Sequence, residues 1–166
     1  MGAPGCDDAP LVDVPTGTQA RDVTLIMPYY ENLNFLRKQL RGLSVMSREL
    51  LDHLMLIIVD DSSPANPARD VFKAIGKLPF QARLYRIERD VRWNWLAARN
   101  IGAHHAAGGW VAITDMDHVM PEDTLRALVF GEHDSGTIYR FSRREHTGLP
   151  VHPHPNSWFY TRDMYW

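Results

Sequence analysis

The chain has 166 residues, with 18 Lys and Arg against 20 Asp and Glu, and its formal net charge of -2 gives no electrostatic footprint for nucleic acid or an anionic membrane. Its single cysteine, Cys6, excludes an intramolecular disulfide framework and a cysteine-rich zinc site. No apolar run approaches the roughly 18 residues of a membrane helix, and the N-terminus lacks a signal peptide's hydrophobic core, so a single-domain, soluble, cytoplasmic protein is the expectation.

Residues 1–20, rich in Gly, Pro, Asp and Thr without periodicity, predict a flexible arm, and 21–166 a folded domain. Val23 to Met27 predicts a strand ended by Pro28. From Asn32, Leu33, Leu36, Leu40 and Leu43 share one helical face, with Arg37, Lys38 and Arg41 toward water. Leu54 to Val59 is a near-continuous apolar run, as in a parallel strand buried on both faces. A helix over about Pro67–Ile75 and a strand around Ala82–Ile87 follow. Leu96 to Ala107 predicts an Ala-rich helix closed by Gly108-Gly109, and Val111 to Ile113 a short buried strand. Pro121 opens a helix at its first turn, with Glu122 to Phe130 as its body. Thr137–Phe141 and Ser157–Tyr160 are candidate strands, separated by a loop over His146–Pro155. The alternation of strands and helices predicts an α/β fold, a mostly parallel sheet with helices on both faces.

Three predicted strand ends carry unusual chemistry: Pro28-Tyr29-Tyr30-Glu31-Asn32, Asp60-Asp61-Ser62-Ser63 and Asp115-Met116-Asp117. In a parallel sheet these ends share one edge, where ligands sit. A tyrosine there offers a flat face to a base and a hydroxyl to the rim. A carboxylate such as Asp61 accepts from the ring N–H of uracil. Asp115 and Asp117, brought together, favour a hard divalent ion, Mg2+ or Mn2+, which in turn suits a diphosphate. Arg99 and Asn100, at the start of the Ala-rich helix, can reach the same edge. No G-x-G-x-x-G or G-x-x-x-x-G-K occurs, which argues against a dinucleotide fold and a P-loop. The structural alternatives are core packing for Tyr29 and Tyr30, helix capping for Asp60 and Asp61, an ion pair for Arg99, lid or core packing for Trp93 and Trp95, and solvated loop positions for His152 and His154.

Taken in order, Val23 to Tyr30, Ile57 to Ser63, Ala97 to Gly102 and Asp115-Met116-Asp117 resemble the motifs of family 2 glycosyltransferases, which have the GT-A fold. The resemblance covers about Asp22 to Trp166 and is silent on the sugar. It implies an inverting, metal-dependent transfer from a nucleotide-diphospho sugar, a UDP-sugar in this reading, to an acceptor hydroxyl. It implies that Pro28 to Tyr30 frame the nucleoside, that Asp61 holds the base and that Asp115 with Asp117 hold the metal and donor. The full donor-binding set expected here is Pro28, Tyr29, Tyr30, Glu31, Asp60, Asp61, Asn94, Arg99, Asp115 and Met116. The resemblance makes Asp115 and Asp117 the ligands of Mn2+ or Mg2+; the residues themselves make Asp117, deeper in the turn, the expected direct ligand and His154 a further candidate. Where the family's first motif ends Tyr-Asn-Glu, this chain reads Tyr30-Glu31-Asn32. Relatives supply the catalytic carboxylate from a Gly-Gly-Tyr-Asp-Glu-like segment that falls past Trp166, so a catalytically incomplete donor-binding fragment is the alternative, with Glu145 and Asp163 as weak candidate bases. A receiver-type signalling domain is also mimicked by Asp60-Asp61 and Asp117, but no lysine follows Asp117 to meet a phosphoryl group.

Overall fold

The computed structural model describes the strand Val12–Asp13 and residues 23–92, 94–145 and 147–166. In chain order its strands are β1 (Val12–Asp13), β2 (Val23–Tyr29), β3 (Leu54–Asp60), β4 (Gln81–Arg86), β5 (Trp110–Ile113), β6 (Tyr139–Arg140), β7 (Arg143–Arg144), β8 (Pro150–Val151) and β9 (Trp158–Thr161). Its helices are α1 (Leu33–Ser44), α2 (Arg48–Leu51), α3 (Ala68–Ile75), α4 (Trp95–His104) and α5 (Glu122–Phe130), with a closing 3-10 turn at Arg162–Tyr165. Most of the expected N-terminal arm lies outside the described residues; within it, β1 pairs antiparallel with β4. Trp93 and His146 also lie outside them.

Seven strands form one sheet in the order β1-β4-β3-β2-β5-β9-β6. The four central strands are parallel, with β2 between β3 and β5. Strand β9 runs antiparallel to β5 and carries β6 at the edge. The chain therefore winds outward from β2 through β3 to β4, then returns across β2 to place β5 on the other side. Right-handed crossovers put α1 and α3 on one face and, once the direction reverses, α4 on the other. Two cores result. Leu36 and Leu40 of α1, Val71 and Phe72 of α3 and Leu125 of α5 pack with Leu25, Met27 and Leu56 on one face. Ala98 and Ala103 of α4 pack with Ile26, Ile57 and Val59 on the other. Helix α4 lies so close to β2 that a Cβ at Gly102 would overlap Ile26 Cγ2, which is why a glycine stands there. The reversal between β2 and β5 opens a crevice at their carboxyl ends.

Several elements differ from the sequence reading. Strand β2 runs through Pro28 to Tyr29 instead of stopping at Met27. Thr114 N donates to Ile26 O, so Ile26 faces β5, and alternation points Pro28 the same way, past the last β2–β5 pair at Ile26–Ile113. The missing N–H of Pro28 thus costs no ladder bond. Helix α4 ends at His104, not Ala107. Gly108 N donates to Thr24 Oγ1, so the chain has already turned back toward β5. Pro121 sits at the N-cap of α5, one position before its first turn. The expected strand Thr137–Phe141 shrinks to Tyr139–Arg140, because Asp134 accepts from Gly136 N and Thr137 Oγ1 and holds that stretch in a turn. The expected 146–155 loop contains β8, which closes a small hairpin with β7. The one-turn helix α2, unanticipated, buries Leu50 and Leu51.

Candidate active site

The end of β3 sets two adjacent carboxylates to different tasks. Asp60, 1 % exposed, accepts from Ser63 N (2.8 Å), Ala68 N (2.9 Å) and Arg86 Nη1 (3.0 Å). It therefore caps α3, shapes the loop and neutralises Arg86 at once. Asp61, 7 % exposed, has an oxygen, Oδ1, that is buried without a hydrogen-bond partner among the described residues. Burial raises its carboxyl above the usual range; a hydrogen bond from Asn94 pulls it back, and the charges of Asp90 and Asp60 push it further up. A buried, unsatisfied carboxylate oxygen is costly, and a donor from a ligand relieves that cost.

At the end of β2, Tyr29 is fully buried and its hydroxyl donates to Asn66 O (2.6 Å). Burial and the neighbouring Asp60 and Glu31 charges push that hydroxyl well above the usual tyrosine range. Its ring belongs to the core, and Tyr30, 50 % exposed, is the ring that faces outward. Pro28 is half-buried in the strand. Glu31, in the left-handed region at φ 54°, has both oxygens engaged: Ala65 N (2.7 Å), Asn66 N (3.2 Å) and Asn66 Nδ2 (2.5 Å) all donate to it. Burial works to raise its carboxyl, but these hydrogen bonds outweigh it and hold it below the usual range. Asn32 accepts from Phe35 N (3.2 Å), capping α1, so the inverted Glu-Asn order divides loop bracing from helix capping.

Strand β5 delivers the acidic pair. Gln39 of α1 donates Nε2 to Met116 O (2.8 Å) and His118 O (2.6 Å), clamping the turn that holds it. Met116 itself is buried in the core. Asp115 is held from two sides: Arg99 Nη2 donates to Oδ1 (2.5 Å), and Asn156 Nδ2 donates to Oδ2 (3.1 Å), with His154 Nδ1 at 3.6 Å. Arg99 is buried beneath the ring of Trp95, 4.5 Å from its centroid. Asn100 accepts from Tyr165 on the outer side of α4. Asp117 is different again. Its side chain is 58 % exposed and, among the described residues, the nearest side-chain nitrogen facing it is His118 Nε2 at 4.0 Å. Among the described residues no three His, Cys, Asp or Glu side chains are gathered as a ready-made metal cage. An open carboxylate beside an anchored one fits Mg2+ or Mn2+, which usually take one or two carboxylates and fill the rest of the shell with water and phosphate oxygens.

Asp117 also borders a cavity of about 510 Å3 that the sequence reading missed. Lys38 of α1, His118, Thr124 of α5, Arg143, Arg144, His154 and Ser157 line it. Lys38 reads in the sequence as a solvent-facing helix position; only the tertiary structure brings it and Arg143 to the acidic turn. Glu145 and Asp163, the weak candidate bases, are exposed and do not line this cavity. His152 is exposed as well.

The sheet order, with its crevice at the β2–β5 reversal, is the GT-A architecture of nucleotide-sugar transferases. The chain belongs to glycosyl transferase family 2, whose family model matches residues 24–163. Among solved structures it is similar to Staphylococcus aureus TarS 1–349, with 18 % identity over 86 % of this chain and 48 % of that one and a TM-score of 0.64. TarS 1–349 in complex with UDP-GlcNAc aligns at 18 % identity over 70 % of this chain and 33 % of that one, with a TM-score of 0.54. The mannosyltransferase PcManGT from Pyrobaculum calidifontis, in complex with GDP-Man and Mn2+, aligns at 26 % identity over 76 % of this chain and 35 % of that one, with a TM-score of 0.53. The chain thus spans a third to a half of the length of these proteins. No curated protein matches it. Among the described residues no helix is long and apolar enough to cross a membrane.

Proposed function

We propose that the chain binds a uridine-diphospho sugar across the carboxyl ends of β2, β3 and β5 and serves its transfer to an acceptor hydroxyl. The observation that carries this reading is the buried Oδ1 of Asp61, without a hydrogen-bond partner among the described residues, with the exposed ring of Tyr30 at the neighbouring strand end. Uracil presents one ring N–H, which matches one open oxygen. Guanine presents two donors side by side, whereas Asn94 already bonds this carboxylate. Cytosine presents no proton at the equivalent nitrogen. The GDP-Man held by PcManGT makes GDP the competing donor to test.

Asp117, steadied by the anchored Asp115, would hold Mg2+ or Mn2+ against the diphosphate, and the ion would supply charge stabilisation for the leaving group. Arg99 fixes Asp115 and thereby the shape of the turn. In the inverting reaction that the family resemblance implies, the acceptor oxygen forms its bond to the anomeric carbon from the face opposite the diphosphate. The diphosphate leaves with the electron pair, and the hydroxyl proton passes to a base. Among the described residues, Asp117 is the only carboxylate lining the adjacent cavity, and the imidazoles of His118 and His154 there are already engaged by Arg143 and Asn156, so the 166-residue chain is expected to bind donor and transfer slowly. A positioned general base contributes roughly 10²–10⁴-fold to rate.

Titration calorimetry with UDP, GDP and CDP in Mn2+, repeated in chelator, tests the reading. UDP should bind most tightly, and chelator should weaken it. No UDP binding in Mn2+, or CDP binding as tightly as UDP, would refute it.

A further inference from the structure

The cavity beside Asp117 has an unbalanced wall. Three cations line it, Lys38, Arg143 and Arg144, against one carboxylate, and among the described residues none of the three makes an ion pair. Arg143 is the positioned one: its Nη1 donates to His118 Nε2 (3.4 Å). A guanidinium cannot accept, so Nε2 offers its lone pair and the ring proton resides on Nδ1, which donates to Ser157 Oγ (3.3 Å). Ser157 Oγ in turn meets Thr114 Oγ1 (3.0 Å) at the end of β5. A buttress of hydrogen bonds from the central sheet therefore holds Arg143 at the cavity wall, with one of its five donors used among the described residues. Arg144 donates Nη1 to Gly148 O (3.0 Å), bracing the hairpin that carries both arginines.

Position gives this charge its meaning. Tyr30, Asp61 and Arg99 do not line the cavity, whereas Asp117 does. The cavity meets the proposed donor site only at the acidic turn, which is where an acceptor has to stand. Its volume of about 510 Å3 is that of a small-ligand pocket. The hydroxyls of Thr124 and Ser142 add neutral polar contacts beside the cations. Like charges lining one cavity repel one another, and an anion between them relieves that repulsion.

We propose that this cavity is the acceptor subsite, and that the acceptor carries a phosphate close to the hydroxyl that receives the sugar. The inference rests on the donor reading above, since it takes the acidic turn as the meeting point of the two substrates. Lys38 and Arg143 bind the phosphate from opposite elements, α1 and the β7 hairpin, and Arg144 contributes from the rim.

Calorimetric titration of the UDP- and Mg2+-saturated chain with glycerol 3-phosphate, glycerol and inorganic phosphate tests this. Glycerol 3-phosphate should bind at least tenfold more tightly than either of the others. Lys38→Gln with Arg143→Gln should cost it at least tenfold, the usual scale for lost charge-assisted hydrogen bonds, while UDP affinity stays within about twofold. Equal binding of glycerol and glycerol 3-phosphate would overturn the proposal. So would inorganic phosphate binding as tightly as glycerol 3-phosphate, which would mark a general anion site. A matching loss of UDP affinity in the double variant would assign the cations to the donor's diphosphate and also overturn it, leaving the donor reading intact. Failure of UDP to bind the wild-type chain would remove the donor reading itself.

Discussion

Asp60 and Asp61 are adjacent, equally charged and both buried, yet the structure assigns them opposite consequences on removal. Asp60→Ala strips three hydrogen bonds and leaves Arg86, whose side chain is 18 % exposed, without its counter-charge. Breaking a buried pair in this way typically costs about 3–5 kcal/mol. At roughly 2–4 °C of melting temperature per kcal/mol for a domain of this size, the variant should melt about 6–20 °C lower. Asp61→Asn should behave the other way. Burial raises the folded-state carboxyl of Asp61, so its ionised form costs stability above that raised value. Asn abolishes the cost, and the variant should melt at or above the wild-type temperature at neutral pH. The difference should fade as pH falls and wild-type Asp61 takes up its proton. UDP affinity should nonetheless drop by about tenfold to a hundredfold, the value of a buried hydrogen bond to a charged group at ~1.5–3 kcal/mol. Thermal unfolding between acid and neutral pH, with UDP calorimetry on the same preparations, reads both. If Asp61→Asn melts as early as Asp60→Ala, or keeps wild-type UDP affinity, the division of labour between the two carboxylates is wrong.

Asp117→Asn should remove the Mn2+ enhancement of UDP binding with little change in melting temperature, because this side chain is largely exposed; UDP binding that still weakens on adding chelator to the variant would contradict this. Gly102→Ala forces a methyl group into Ile26 and should destabilise by about 1–3 kcal/mol, seen as a lower urea midpoint at unchanged slope. Glu31→Ala should lower the melting temperature at neutral pH, where the ionised carboxylate braces Ala65 and Asn66. Because the Glu31 carboxyl is held below its usual range, the wild-type advantage should be present above the ordinary carboxylate pKa and vanish as pH falls through the folded value; an advantage that persists at low pH would assign it to packing.

The strands and helices of this chain were legible because their periods are local. A buried parallel strand announces itself in Leu54 to Val59, and an amphipathic helix in Leu33, Leu36, Leu40 and Leu43, whatever surrounds them. The acidic strand ends were legible for the same reason, since carboxylates are expensive where apolar runs stop. What each one does was not local. That Asp60 is consumed by Ser63, Ala68 and Arg86 while Asp61 keeps an open oxygen depends on where β4 and α3 come to rest beside β3. Tyr29 and Tyr30 are indistinguishable in sequence; β2, buried on both faces, ends at Tyr29, and Tyr30 is the first residue beyond it, in the exposed loop. The cavity is the furthest from local, because Lys38, His118 and Arg143 are separated by long stretches of chain and share a wall only once α1, the β5 turn and the β7 hairpin have packed. Sequence alone determines which residues can carry charge or a proton, and only the tertiary structure decides which of those charges are neutralised internally and which remain open to a ligand.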